Sequence, residues 1–531
     1  MVKFLRLITL LITFFIVIFA FDSQAKQANI IFILTDDLDK ELFSHSSRID
    51  SLITQQGVRF DNHMVSLSLC CPSRAATLRS QFAHNTGIYH NGPGLGGFDL
   101  FYAKGLERST MATWLQEAGY QTALIGKYLN GYPNIKTGPN YIPPGWNYFI
   151  SPNAGHPYTE YNYSLNDNGN TVIHGNLSTD YLQDIITVKA VNFIKNSVVN
   201  NPDKPFFLYL APYLPHAPST PPSRYFNVPA NVKLPSSTDQ LQNFIYLNNL
   251  NLPTKFKVLR SASYNEIDVS DKPAWIRKLA PLSDYWLYQN DLQYTNRRLS
   301  MQAIEDMVEN IINILKITRQ LDNTYIVFTS DNGYHQVQHH MNAGKDTGYE
   351  EDINVPLVIR GPGIAKGTVI KKLTANVDLA PTFADIAGVS PPNFVDGRSL
   401  KPIWNGSQPT VWRKALFLEH RAPGITESSL NGLLEPPDFY DLQITHVPDL
   451  GPPIFVGIRT QDNAISGYGP INYLEYDTGE REFYDISIDP LQLNNSYSKI
   501  NSAIINRLSN WINSMKIASG QALRILEEQG P

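Results

Sequence analysis

The sequence predicts an α/β fold in which a large mixed, mostly parallel β-sheet lies between layers of helices. Short apolar runs typical of strands buried on both faces occupy residues 29–34, 122–125, 206–210 and 325–328. Helical spacing of apolar residues separates these runs, most clearly over 291–320. Because strands alternate with helices along the chain, we expect parallel pairing with helices on both faces of the sheet.

A shorter helix is predicted before Gly119. Residues 111–118 carry a helical pattern of apolar residues, and Gly119 follows as a stop signal.

The segment 218–281 has no such pattern, because it is rich in Pro, Asn and Ser with scattered aromatic residues. We interpret it as a long surface excursion near the mouth of a site.

The pattern changes near residue 400, and we therefore divide the chain into a large domain, 26–400, and a C-terminal subdomain, 401–531. The second part is predicted to be a smaller antiparallel sheet with a helix and a polar tail. Its predicted strands and helix are residues 412–420, 453–459, 481–486 and 503–516.

The N-terminal residues 1–25 have the pattern of a secretory signal peptide. Lys3 and Arg6 precede an apolar run that is shorter than the ~20 residues of a membrane span, and small residues follow it. An uncleaved anchor is the alternative. We expect an exported protein, periplasmic or secreted, with no stable membrane anchor. We expect a bacterial origin, since a chain of this size with only two cysteines lacks the disulfide framework of most eukaryotic secreted proteins.

The net charge of −5 gives no reason to expect nucleic-acid binding.

Polar residues suited to chemistry follow each of the predicted strands. In parallel sheets the ligand site lies beyond the carboxyl ends of the strands. The sequence therefore predicts one polar site assembled from distant segments. The residues that follow the strands are Asp36 and Asp37, Lys127, His216, and Asp331 and Asn332.

The two cysteines, Cys70 and Cys71, are adjacent and are followed directly by Pro72, Ser73 and Arg74. Adjacent cysteines rarely pair with each other, because the geometry of a disulfide requires a larger separation of the α-carbons. The chain is therefore predicted to have no internal disulfide.

The segment CCPSRAA that begins at Cys70 resembles the signature of the sulfatase family, within the alkaline phosphatase superfamily. The segments LTDD, IGKYLN, PYLPHAPS, TSDNGYH and NAGKDTGYE match the same family, and the chain looks most like its glucosamine-6-sulfatase branch. The resemblance implies an alkaline-phosphatase-like fold and hydrolysis of a sulfate ester. It implies a sulfated saccharide substrate, with 6-O-sulfated N-acetylglucosamine of a glycosaminoglycan or related glycan as the expected group.

The resemblance also implies a modified nucleophile. In the family the matching cysteine, here Cys70, is oxidised by a maturation enzyme to formylglycine (3-oxoalanine). Its hydrated aldehyde attacks sulfur with one hydroxyl and expels sulfate with the other, which splits a difficult hydrolysis into two steps. Cys71 stands at the variable position of the signature.

The remaining motifs imply a metal site. Asp36 and Asp37 match the first ligand pair of the family and Asp331 and Asn332 the second, with Cys70 as a further ligand. Three carboxylates and an amide oxygen are hard donors, which suit one Ca²⁺ ion better than zinc.

The basic residues complete the implied site. Arg74, Lys127 and Lys345 match cations that contact the sulfate, and a helical turn would bring Arg74 back over Cys70. His216 matches the histidine that protonates the leaving alcohol. Many relatives carry a second histidine where this chain has Leu129, so we take His335 as the candidate base that regenerates the aldehyde.

Two other functions remain open at this point. One is a phosphodiesterase or phosphonate monoester hydrolase of the same superfamily, which would use much the same metal site. The other is an inactive homologue of the sulfatase fold that only binds glycans.

Overall fold

A ten-stranded mixed sheet forms the middle of the protein. The computed structural model describes residues 26–225, 256–407, 409–421 and 451–531, so the predicted signal peptide 1–25 lies outside the described residues. The strands in chain order are β1 Asn29–Thr35, β2 Val58–Phe60, β3 His63–Met64, β4 Gln121–Gly126, β5 Tyr148–Gly155, β6 Tyr163–Asp167, β7 Asn170–His174, β8 Phe206–Ala211, β9 Thr324–Ser330, β10 Leu357–Arg360, β11 Thr368–Ile370, β12 Thr374–Ala375, β13 Ala415–His420, β14 Phe455–Thr460, β15 Ile471–Tyr476 and β16 Arg481–Asp485.

The centre of the large sheet is parallel. Its strand order is β11-β2-β10-β9-β1-β8-β4-β5-β6-β7. The neighbours β9, β1, β8, β4 and β5 all pair in parallel, whereas β10 pairs antiparallel with both of its neighbours and β5, β6 and β7 form an antiparallel meander. The prediction of a mixed sheet with a parallel core is therefore confirmed.

Helices cover both faces of this sheet. In chain order they are α1 Lys40–Phe43, α2 Ser47–Leu52, α3 Cys70–Arg79, α4 Ala83–Thr86, α5 Gly97–Ala103, α6 Met111–Glu117, α7 Leu182–Asn200, α8 Ala274–Arg277, α9 Asp284–Ile317, α10 Glu350–Ile353, α11 Leu379–Ile386, α12 Ser502–Met515 and α13 Gly520–Gln529. Among the residues the structure describes, no helix is long and apolar enough to cross a membrane.

The alternation of side chains along β1 accounts for the two apolar cores. Ile31 and Ile33 belong to a cluster that contains α7 and α9, whereas Ile30 and Phe32 belong to one that contains α3, α6 and α11. Since successive side chains of a strand point to opposite faces, a strand that is apolar at every position needs a helical layer on each side.

The four predicted strands and the helix before Gly119 are confirmed with shifts of one or two residues at their ends. The long helix α9 begins at Asp284 rather than at residue 291, because its first turns still pack Leu287 against the core. It ends before residue 320 because Arg319 adopts a left-handed conformation, with φ 54°. The meander of β5, β6 and β7 was not predicted, since β5 is interrupted by a bulge at Pro152 and β7 is exposed.

The C-terminal sheet is antiparallel in the order β13-β14-β15-β16. The sequence predicted β13, β14, β16 and α12 but not β15. The predicted polar tail is wrong, because α13 forms there and buries Leu523 and Glu527.

The domain boundary at residue 400 stays a prediction. Leu400, Ile403 and Trp412 still pack in the core of the large sheet, whereas the strands from β13 onward form a third apolar cluster.

The middle of the predicted excursion, 226–255, lies outside the described residues. The described part after residue 255 packs beside the loop that follows β9, whereas Arg224 and Tyr225 contact α7 and α9. The Asn265 N–H donates to the carbonyl of Val337, and His339 Nδ1 lies 2.5 Å from Glu266 Oε2.

A buried ion cluster ties the C-terminal part to the large sheet. Arg413 contacts Asp378 through both terminal nitrogens, at 2.5 and 2.8 Å, and its Nε lies 2.9 Å from Glu527 on α13. All three residues are completely buried. Removal of one member of such a cluster leaves uncompensated charges inside the protein.

We therefore predict that Arg413→Ala lowers the free energy of unfolding by about 3–5 kcal/mol, measured as a shift of the urea midpoint. Arg507→Ala is the matched control, since Arg507 is exposed on α12, and its expected effect is within ~0.5 kcal/mol. Equal effects of the two substitutions would contradict a supporting role of the buried cluster.

Candidate active site

The polar residues that follow the strands meet at one edge of the sheet. The strands β9, β1, β8 and β4 are consecutive neighbours and run in the same direction, so their carboxyl ends lie side by side. Within the described residues, the atoms that Asp36, Asp37, Cys70 and His216 offer as metal ligands lie within 4.8 Å of one another. A single polar site is thus assembled from segments far apart in the chain.

Cys70 is the first residue of α3 and is completely buried. Its Sγ lies 3.3 Å from Asp36 Oδ1 and 3.1 Å from Lys345 Nζ. The N-terminus of a helix carries partial positive charge and unsatisfied N–H groups, which favour an anion at this position. The side chain of Cys70 is therefore set between a carboxylate and an ammonium group where an anionic ester would be stabilised.

Cys71 lies in a different environment. Its backbone N–H donates to Asn91 Oδ1 at 2.9 Å, and its side chain packs in the apolar core that contains α3. Burial raises the pKa of the Cys71 thiol to about 12. The two adjacent cysteines are thus unlike, since one faces the polar site and the other is a buried, unreactive thiol.

The carboxylates and the amide form a compact cluster. Asn332 donates from Nδ2 to Asp37 Oδ1 at 2.7 Å, and the Asp37 N–H lies 3.2 Å from Asp331 Oδ1. Burial and the neighbouring Asp36 carboxylate raise the pKa of Asp331 above its ordinary value. Asn332 Oδ1 is buried and has no hydrogen-bond partner among the described residues. An oxygen without a partner, next to three buried carboxylates, fits a hard cation.

Each carboxylate also has a basic partner. Lys127 Nζ lies 2.6 Å from Asp36 Oδ2, and Lys345 Nζ lies 2.9 Å from Asp37 Oδ1. Burial opposes ionisation of Asp36, but the ammonium of Lys127 and the other nearby cations hold its pKa well below the usual range. Arg74 donates from Nε to Asp331 Oδ2 at 2.8 Å, and its Nη2 lies 3.7 Å from Asp36 Oδ2. The expected role of Arg74 over Cys70 stays a prediction.

His216 faces the same cluster. Its Nε2 lies 3.5 Å from Asp37 Oδ2, and its Nδ1 lies 2.7 Å from the carbonyl of Ala217. A carbonyl only accepts, so Nδ1 carries a proton and Nε2 is the atom that can exchange one at the site. The ring of Tyr158 packs against the imidazole with centroids 4.7 Å apart and holds its orientation.

His335 has the contacts of a residue that holds a loop in place. Its Nδ1 lies 3.0 Å from both oxygens of Asp352, and its Nε2 lies 2.7 Å from the carbonyl of Asn342. Asp352 also accepts hydrogen bonds from the backbone and hydroxyl of Thr347. These bonds brace both sides of Lys345. The role of His335 as a base stays a prediction.

Leu129, which stands where many relatives carry a histidine, is buried in the apolar core beside α3.

Sequence reasoning missed three residues that shape the site: Asn91, Tyr158 and Arg297. Arg297 donates from Nη2 to the carbonyl of Asp37 at 2.5 Å and to Asp39 at 2.9 Å. No motif marks these three residues, since each reaches the site only through the folding of a distant segment.

Comparison with known proteins gives a consistent result. The family model described as Sulfatase matches residues 28–389. The chain is 30% identical over 517 residues to N-acetylglucosamine-6-sulfatase of Homo sapiens, which covers 96% of this chain and 88% of the relative.

Two solved structures show the same fold. The structure of BT4656 in complex with its substrate D-glucosamine-2-N,6-O-disulfate has a TM-score of 0.68 at 23% identity and covers 95% of this chain and 99% of that chain. The phosphonate monoester hydrolase of Agrobacterium radiobacter has a TM-score of 0.63 at 19% identity and covers 92% and 96%.

Proposed function

The chain belongs to the sulfatase family of sulfuric ester hydrolases, and we propose that it removes the 6-O-sulfate of N-acetylglucosamine in a glycosaminoglycan or related glycan. The observation that carries this proposal is the placement of Cys70 Sγ between Asp36 and Lys345 at the start of α3. The name of the human relative and the substrate of BT4656 both support the glucosamine-6-sulfate assignment.

We propose that Cys70 is converted by a maturation enzyme to formylglycine. The hydrated aldehyde supplies two hydroxyl groups, one to displace the alcohol from sulfur and one to release sulfate as the aldehyde forms again. The residues of the chain have the other tasks. Lys127, Lys345 and Arg74 stabilise the negative charge on the sulfonyl oxygens.

His216 is the proposed general acid. Its Nε2 faces the site and lies 3.5 Å from Asp37 Oδ2. A proton delivered from Nε2 to the ester oxygen would convert a poor alkoxide leaving group into an alcohol. His335 and Asp352 hold the loop that carries Lys345 and thereby keep this cation beside the nucleophile.

We propose that one Ca²⁺ ion is held by Asp36, Asp37, Asp331 and Asn332, with residue 70 completing the set. The donors are hard oxygen atoms, and Asn332 Oδ1, which has no partner in the described part of the chain, supplies the fourth of them. When bound, the ion supplies positive charge at the sulfate and to the hydroxyl that attacks it.

We further propose that the enzyme is exported to the periplasm or secreted. The pattern of residues 1–25 supports export. A sulfated glycan outside the cell would then be its substrate.

A second candidate function is hydrolysis of a phosphonate or phosphate diester. It is favoured by the structural likeness to the phosphonate monoester hydrolase, which shares the fold at a TM-score of 0.63. The two functions differ in the central atom of the ester, sulfur or phosphorus. Assays with both classes of substrate therefore distinguish them. An inactive glycan-binding homologue would show neither activity.

We predict that kcat/KM for N-acetylglucosamine-6-sulfate exceeds that for nitrophenyl phenylphosphonate and for bis-nitrophenyl phosphate by at least about 100-fold, because contacts with the sugar of the proper substrate stabilise the transition state and a nitrophenyl ester cannot make them. Released sulfate is measured by ion chromatography and released nitrophenol by absorbance, with Cys70→Ala as the blank. A higher rate with either phosphorus ester would favour the second candidate.

For the nucleophile, we predict that the peptide spanning residue 70 of active enzyme has the mass of the aldehyde, with sulfur lost and oxygen gained. Cys70→Ala should abolish turnover, with kcat falling by at least ~1,000-fold as for loss of a covalent nucleophile. Cys71→Ala is the matched control and should retain most of the activity, since Cys71 packs in the core. Unmodified thiol at residue 70 in fully active enzyme would refute the mechanism.

For the metal, we predict that chelator-treated protein regains thermal stability and activity with Ca²⁺ more fully than with Zn²⁺. Saturation at about 100 times the dissociation constant corresponds to ~2.7 kcal/mol of added stability. Asn332→Leu removes a neutral ligand and should weaken the response to Ca²⁺ when the melting temperature is titrated by differential scanning fluorimetry. A variant that responds to Ca²⁺ as the parent protein does would argue against this ligand set.

A further inference from the structure

Two tyrosine rings lie against the ammonium group of Lys127. Its Nζ is 5.0 Å from the centroid of the Tyr158 ring and 5.9 Å from the centroid of the Tyr213 ring. Both distances are within the ~6 Å over which a cation is attracted to the face of an aromatic ring. The two ring centroids are 4.9 Å apart and the ring planes are inclined by 89°. Tyr158 and Tyr213 therefore form an aromatic corner that receives the ammonium group.

The aromatic corner is shielded from water. Lys127 is 2% exposed, and Tyr158 and Tyr213 are 8% and 7% exposed. A contact between a cation and an aromatic ring contributes most where water is excluded, because water screens the charge and solvates the ammonium group. The two rings thus lie where their attraction for Lys127 is strong.

Separate segments of the chain hold the two rings in place. Tyr158 lies in a short helical turn, Pro157–Thr159, that follows β5, and its hydroxyl accepts from Asn130 Nδ2 at 3.4 Å. Tyr213 follows β8, and its carbonyl accepts from the N–H of His216 at 3.1 Å. The corner therefore joins the loops after β4, β5 and β8 around one ammonium group.

The ion pair of Lys127 competes with the proposed metal. In the part of the chain that the structure describes, the ammonium group is paired with Asp36, at 2.6 Å from Nζ to Oδ2. The same carboxylate is a proposed ligand of Ca²⁺, which would draw it away from the lysine. A lysine side chain is flexible, so an ammonium group without a second support would lose its position. The aromatic faces bind no Ca²⁺, and their attraction for the ammonium group does not depend on what Asp36 binds.

We propose that Tyr158 and Tyr213 are positioning residues, which hold the ammonium group of Lys127 toward the sulfate when Asp36 binds the metal. This inference rests on the proposed sulfatase function and extends it to the groups that place one of its cations. It differs from a packing role in one respect. If the rings only filled space, their shape alone would matter, whereas an attraction for the cation depends on the electron density of the ring face.

The test varies the electron density of the ring at residue 158 and keeps its shape. The Tyr158 ring also packs against His216, with centroids 4.7 Å apart, so removal of the ring would disturb two groups. Tyr158→Phe and the mono-, di- and trifluorinated analogues of that phenylalanine are therefore introduced into the full-length, metal-loaded enzyme. Each fluorine withdraws electron density from the ring face and weakens its attraction for a cation, with little change in size.

The value of kcat/KM for nitrophenyl sulfate should fall stepwise with the number of fluorine atoms, by about 10-fold over the series. The dissociation constant of inorganic sulfate, measured by calorimetry, should rise in the same order. The same analogues at Phe193, a buried aromatic residue of α7, are the matched control and should leave both quantities unchanged. Equal values for every member of the series at residue 158 would overturn the proposal.

A double-mutant cycle tests the second ring. Tyr213→Leu, Lys127→Met and the double variant are compared with the parent protein, and the free energy of unfolding is obtained from urea denaturation. If the ring acts on the ammonium group, Tyr213→Leu should destabilise the parent protein more than it destabilises the Lys127→Met variant. Effects of the two substitutions that simply add would assign Tyr213 to packing and overturn its positioning role.

The failure of the proposed function is distinguishable from the failure of this inference. If the enzyme hydrolyses a phosphorus ester rather than a sulfate ester, the proposed substrate is wrong, and the fluorinated series is followed with that ester. A stepwise fall supports the aromatic corner, and a flat series overturns it. If neither class is hydrolysed, the proposed activity is absent and the unfolding free energies decide. Coupling between residues 127 and 213 then supports the corner, and additivity overturns it.

Discussion

The rest of the active site depends on the burial of three carboxylates at one edge of the sheet. Asp36, Asp37 and Asp331 are fully buried, and isolated charges in such a place would destabilise the folded protein severely. Each is compensated by a cation from a different segment: Lys127 after β4, Lys345 in the loop after β9, and Arg74 on α3. The parallel centre of the sheet, helix α3 and the Lys345 loop are therefore held in one arrangement by a single electrostatic requirement.

The pairing of the buried carboxylates with basic side chains also suits the hydrolysis of an anionic ester. A divalent cation bound by the carboxylates would take over the role that the lysines and Arg74 have toward them. The basic side chains would then be available to an anionic ester. A site that bound both would exchange ion pairs within the protein for ion pairs with the metal and the substrate. A preorganised arrangement of this kind stabilises a transition state without a large movement of dipoles during the reaction.

How far the sequence predicts this site depends on whether a residue is positioned locally. Asp36, Lys127 and Asp331 directly follow apolar strands, so the rule that ligands bind at the carboxyl ends of parallel strands places them without a structure. The partner of Arg74 was not predicted, because helical spacing reports its distance from Cys70 but not the position of Asp331. Asn91 and Arg297 were missed for the same reason. The strand β15 and the helix α13 were missed because polar and charged residues in them are satisfied by distant partners such as Arg413.

The C-terminal sheet is more than a support for the large domain, because it anchors the segment that carries Lys345. Asn472 donates to the carbonyl of Gly348 at 2.7 Å, Tyr349 donates to Glu482 at 2.7 Å, and Arg459 contacts Glu350 at 2.5 Å. Between these anchors and Cys70 lie Lys345 and the Asp352–His335 pair. A displacement of the C-terminal sheet would therefore move the ammonium group beside Cys70. The large sheet carries the carboxylates of the site, and the small sheet anchors the loop that carries Lys345, so both parts contribute to one site.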